Sequence, residues 1–130
     1  MATLEEDGWE LESAEERHNA HPESFIIPSA QERVNLESGT RAKLLFLFMN
    51  QEEGKPIIDC ERMHVIVRAS RNGRYDGVLD DAPVTSAALR RGAIVEFGPE
   101  HVASIVIPRT DARHPESVRP TKPWWRFWSR

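Results

Sequence analysis

Cysteine is almost missing from this chain: Cys60 is the only one in 130 residues. A single thiol excludes an internal disulfide framework and suits a reducing compartment. Long apolar runs are missing as well. The longest, Leu44 to Met49, falls far short of the ~20 residues that a helix needs to cross a bilayer. The opening MATLEEDGWELESAEE has neither a basic segment nor an apolar one, so no secretory leader is expected. A cytoplasmic location follows, with attachment to the inner membrane surface as the alternative. No glycine-rich loop that could cradle a phosphate is present, and no serine stands in a Gly-x-Ser-x-Gly elbow.

Against those absences stand 39% apolar and 29% charged residues, the proportions of an ordinary globular domain with a modest core. The net charge of −4 conceals a gradient. Residues 1 to 40 hold ten acids and two arginines, residues 41 to 105 nine charges of each sign, and residues 106 to 130 two acids and six Lys/Arg. The middle is neutral and the ends are opposite. An acidic pI of about 5.7 speaks against nucleic acid as a partner.

The richest stretch runs from Glu61 to Ile107. Met63 to Arg68 and Arg74 to Asp80 are dense in β-branched and aromatic residues, and Asn72-Gly73 between them is the strongest hairpin signal in the chain. Period two puts Met63, Val65 and Val67 on a core face and His64, Ile66 and Arg68 on a mixed one. Ala93 to Phe97 and Val102 to Ile107 read as two further strands about the Gly98-Pro99 break. Thr40 to Asn50 is the most hydrophobic strand, buried on both faces and hence central or covered by a helix. Asn50 to Pro56 reads as a polar loop.

Earlier in the chain, Ser13 with Glu16 and Ser29 with Glu32 have the spacing of helix N-termini. A short helix ending before Pro22 and another over Ala30 to Leu36 are expected. Segments divide as an acidic arm at 1–24, a globular domain at 25–107, a proline- and charge-rich linker at 108–123 and an aromatic tail at 124–130. The expected architecture is α+β, with short N-terminal helices on a strongly bent, mostly antiparallel sheet or small barrel of about five strands. Its core is expected to hold Leu44, Phe46, Phe48, Met63, Val65, Val67, Val78, Val95, Phe97 and Ile105.

Three candidate chemistries stand out. Trp124, Trp125, Arg126, Phe127 and Trp128 interleave aromatics with a cation. They suit a groove on a protein partner, a membrane interface, a stacked single strand of nucleic acid or the apolar surface of the chain's own domain. Cys60 with His64 or His101 has the residue types of a thiol nucleophile and base, but its place at a strand start lacks the setting that would depress a thiol pKa. His18, His21, His114 and Glu15 could meet a metal, but no rigid element supplies a third ligand. No metal or cofactor is expected. His64, Asp80, Asp81 and His101 are the candidates for a polar surface site, with Asp81-Ala82-Pro83 also readable as turn chemistry.

The segments ERMHVIV, GRYDGVLDDAPV, LRRGAIVEF and GPEHV resemble a domain-of-unknown-function family of small bacterial proteins. That family carries Arg-Met-Trp-Val, Gly-x-Leu-Asn/Asp-x-Pro, Leu-x-x-Gly-Asp-x-Val-x-Phe and Pro-x-His-Ile motifs. His64 stands where that family has Trp, Asp81 or Ala82 where its Asn or Asp precedes Pro, and Ala93 where its Asp follows Gly. The resemblance covers about Phe25 to Ile107, implies a compact β-rich domain with accessory or immunity-type roles, and brings no catalytic residues. Taken together, the expectation is a non-enzymatic binding module with an unidentified protein partner and an aromatic docking tail.

Overall fold

The computed structural model describes residues 1–106; the linker at 108–123 and the aromatic tail at 124–130 lie outside the described residues. Two hairpins supply most of the sheet. Arg41–Glu52 (β2) and Lys55–Arg71 (β3) pair antiparallel from Arg41↔Ile66 to Glu52↔Lys55. Glu53 and Gly54, which join them, have φ of 54° and 80°, the double positive φ of a two-residue hairpin turn. The stretch expected as a loop from Asn50 to Pro56 is therefore mostly strand. Its turn lacks the Asn that usually marks such a site, and Glu53 adopts the left-handed conformation instead.

β3 turns into Arg74–Leu79 (β4) through Asn72 and Gly73, with φ of 51° and 78°, as the Asn-Gly pair foretells. A register shift between Val67 and Ala69 bulges the strand at Arg68 and bends it. Beyond the bulge, Tyr75, Gly77 and Leu79 face the core. Val78 points to the opposite face, which corrects its expected place in the core.

Ile94–Phe97 (β5) pairs with β4, and Val102–Val106 (β6) pairs with β2. Only a 3₁₀ turn, Pro99–His101, and Gly98 lie between them. A flat sheet would hold β5 and β6 about 19 Å apart, four strand spacings. The link spans roughly 13 Å once its 3₁₀ residues are allowed ~2 Å each. The sheet must curl to let it reach.

Residues 1–24 do not stand apart as an arm. Leu4–Asp7 (α1) is a single capped turn, and Trp9–Leu11 (β1) pairs with β2 from Trp9↔Phe48 to Leu11↔Phe46. Trp9 lies 5.8 Å from the Phe46 ring, a contact worth more than its area alone. β1 and β6 thus share one edge of β2, in the order β1/β6, β2, β3, β4, β5. The concave side holds the main core, including Leu44, Phe46, Phe48, Met63, Val65, Val67, Val95 and Phe97, with Ile105 packed against it.

Ala14–Ala20 (α2) and Ala30–Val34 (α3) begin at Ser13 and Ser29, whose side chains accept from the N–H of Glu16 and Glu32. Ala14 of α2 covers Leu45 and Ala103 on the convex side, which accounts for the two-faced hydrophobicity of β2. α3 stops at Val34, two residues early, since Leu36 turns in to pack on the core and gives its N–H to Tyr75 Oη at 3.2 Å. Tyr75 Oη in turn donates to the Arg33 carbonyl at 2.7 Å.

Buried Tyr75 therefore ties α3 to β4 through two hydrogen bonds. Tyr75→Phe is expected to destabilise the fold by about 1–3 kcal/mol, the range for a buried polar group left unpaired. Urea unfolding followed by circular dichroism measures it, and an unchanged midpoint would contradict the role.

Candidate functional site

Of the four candidate surface residues, three converge. Asp81 Oδ2 accepts from the His64 backbone N–H at 2.8 Å and lies 3.0 Å from His64 Nδ1. The Asp80 N–H returns to the His64 carbonyl at 2.9 Å, and the Asp80 carboxylate binds Arg41 at 3.0 Å and Arg91 at 3.3 Å. Partial burial pushes the Asp81 carboxyl up, but the two His64 hydrogen bonds, the His64 charge and Arg41 outweigh it, so its pKa lies below the ordinary value. Across the sheet the row runs from His64 through Lys43 to Ser104. Ser104 is two strand spacings from His64, roughly 10 Å, beyond the reach of proton transfer. The cluster pins the chain leaving β4 to β3.

A second anchor works on the same segment. Glu61 accepts from Val84 N–H at 3.0 Å, Thr85 N–H at 2.7 Å and Thr85 Oγ1 at 2.6 Å. Burial raises the Glu61 carboxyl, yet these donors hold its pKa below the ordinary value.

His101 belongs to neither, and its expected surface position is corrected: it is 5% exposed. It sits in the link between β5 and β6, where Nδ1 accepts from Gly98 N–H at 3.0 Å. Glu100 beside it binds Arg74 at 2.9 Å. A Cβ at Gly98 would meet the ends of the Arg74 and Glu100 side chains, so a larger residue here would displace that ion pair. Buried Arg33 completes the knot, with Nη1 donating to Glu15 at 2.6 Å and to the Pro99 carbonyl at 3.1 Å, and Nε to the Pro28 carbonyl at 2.9 Å.

Cys60 is exposed on the convex face. Burial of its sulfur and then the Glu12 carboxylate, 3.9 Å from Sγ, push the thiol pKa up despite Arg17 and Arg62. His64 lies four residues along the same strand, about 13 Å away. The thiol and the imidazole do not meet. His18 Nδ1 is engaged by the Phe25 carbonyl at 2.7 Å, and among the described residues no group of three or more ligating side chains could hold a metal. No helix among them is long and apolar enough to cross a membrane.

What the convex face does present is an apolar row that sequence reasoning did not assemble. Directly paired residues share a face, so Val106, Arg41, Ile66, Val78 and Ile94 line up across five strands. Ile94 is 62% exposed, and none of the four apolar members joins either core cluster. Asp76 and Glu96 form the next paired row on one side, with Lys43 and His64 on the other. Ile66 was visible by period two, but Val78 was hidden by the bulge at Arg68.

Comparison of the chain with family models, curated proteins and solved structures finds no match.

The His101 site carries a pH prediction. Burial, ahead of the nearby charges, lowers the His101 pKa from 6.5, so the folded state favours the neutral ring. The unfolded chain then takes up the proton first as pH falls, and stability present above about 6.5 is lost below it. The denaturation midpoint is expected to drop between pH 7.5 and 5.5, and less so in His101→Asn, whose amide oxygen can still accept from Gly98. Equal drops would contradict the assignment.

Proposed function

We propose that this chain is a non-enzymatic, cytoplasmic protein-binding module of accessory or immunity type. Its recognition elements are the convex apolar row and the aromatic segment at 124–128. The observation that supports it is the row itself: half-buried Ile66 and Val78 and exposed Ile94 side by side on a sheet face, with Val106 beyond Arg41, all outside both core clusters. Contiguous apolar surface of this kind on a folded domain marks a contact site. The polar clusters beside it are occupied with anchoring the chain and, among the described residues, leave no nucleophile near a base. The family resemblance of the segments from Glu61 onward points the same way, toward accessory roles. The partner is a protein whose surface offers apolar or aromatic side chains bordered by cations, to match the row and its acidic flank at Asp76 and Glu96.

A second reading, attachment to a membrane surface, rests on the cation–aromatic interleaving of Lys122, Trp124, Trp125, Arg126, Phe127 and Trp128. The two readings separate experimentally. Affinity capture with the full chain is compared with Ile94→Asp and with Trp124→Ala/Trp125→Ala/Trp128→Ala. A partner lost roughly tenfold or more with Ile94→Asp is expected, the size of a binding hot spot. Recovery indifferent to both variants, together with co-sedimentation on anionic vesicles at low salt, would replace the protein-binding reading with the membrane one.

A further inference from the structure

We infer that the convex row is the docking site of this chain's own C-terminal segment, Lys122 to Arg130, which occupies it until a partner displaces it. The inference rests on the docking face proposed above and adds its first occupant. Three observations carry it. The last strand delivers the chain to the site: β6 ends at Val106, and Val106 is the first member of the row, paired with Arg41. Val106 is the last described residue, so the end of the described chain and the end of the row coincide.

Charge is complementary as well. Residues 1–106 hold 19 acids and 11 Lys/Arg, whereas residues 107–130 hold two acids and six Lys/Arg. The acid excess belongs to residues 1–40, whereas the strands of the row lie in a stretch with nine charges of each sign; tethering makes the encounter intramolecular, at an effective concentration on the order of millimolar. On the row's flank, Asp76 and Glu96 stand paired on β4 and β5. Glu96 is exposed and has no ion pair among the described residues. It offers the segment's cations a partner beside the apolar strip that its indoles would cover.

Reach is sufficient. From Val106 to Trp124 the chain can extend at most on the order of 60 Å, while the row from β6 to β5 is roughly 19 Å across. Every strand of the row is accessible to the segment. Covering Ile94, Val78 and Ile66 with Trp and Phe rings removes apolar surface from water on both sides, the same gain that drives core packing. The acidic hairpin tip at Glu52 and Glu53, at the opposite end of β2 from Val106, lies within the same reach, and the paired, exposed Met49 and Ile58 beside it are the competing seat that the experiment below distinguishes. A partner of the chemistry proposed above would have to compete with a ligand that the protein carries itself.

Paramagnetic relaxation enhancement in the full chain tests this. A nitroxide is placed at Ser129→Cys in a Cys60→Ser background, and amide intensities are compared before and after reduction. Strong broadening is expected at Ile66, Val78 and Ile94, unchanged on tenfold dilution as an intramolecular contact requires, and much weaker with Ile94→Asp or at high salt. No broadening on the row, broadening confined to Met49 and Ile58, or broadening that fades on dilution and so reports a second copy would each overturn the inference. If the row stays unbroadened but capture of a partner still depends on Ile94, the docking face stands and only its internal ligand is lost.

Discussion

The short link from Phe97 to Val102 is the constraint on which the rest of the structure depends. It joins the last strand on one side of the sheet to a strand on the far side of β2, and it is too short for a flat sheet. Curling is the solution, and the polar groups of the link are arranged to keep it. His101 accepts from Gly98, Glu100 holds Arg74 from β4, and Arg33 from α3 donates to Pro99 while gripping Glu15 of α2. Two helices and β4 are thereby tied to four residues. Buried charge is costly unless its hydrogen bonds are made, and Arg33 makes three.

Curling decides which side of each strand is inside. The concave side takes the large side chains of β2 and β3, and β1 and β6 end to end complete the outer edge of β2. The opposite edge, β3 from Pro56 to Arg62, stays without a strand among the described residues. It is protected by means that natural sheets use against edge pairing: Pro56 removes a donor, and Asp59 and Glu61 put acids along it. Among the described residues α2 and Phe25 cover part of the convex side, and the row that ends at Val106 lies outside both core clusters. A row of apolar side chains interrupted by Arg41 is thus what remains after the sheet has closed.

Much of this was legible in the sequence. Asn72-Gly73, the two Ser-x-x-Glu caps and the apolar character of Thr40 to Asn50 gave the hairpin, the helix starts and the central strand, because each is a local preference that the fold respects. The misplacements share one cause, dependence on partners distant in sequence. Trp9 to Leu11 is too short and acidic to announce a strand, and pairs only because β2 offers an edge. Val78 alternates correctly with Leu79 but is turned outward by a bulge that no residue type at Arg68 signals. His101 was a candidate surface imidazole, and burial came from the link itself. The convergence of His64, Asp80 and Asp81 was anticipated as a cluster, whereas their partner Arg41, 39 residues from Asp80, was not.

Residue-resolved hydrogen exchange on the full chain tests the closure most directly. With β6 and β1 seated on β2, the amides of Lys43, Leu47 and Met49 have partners in Ser104, Glu10 and Gly8 and are predicted to exchange slowly. Those of Ile58, Cys60 and Arg62, on the free edge of β3, are predicted to exchange fast. Lys43 exchanging as readily as Arg62 would mean that β6 does not lie on β2, and that the link from Phe97 to Val102 does not close the sheet.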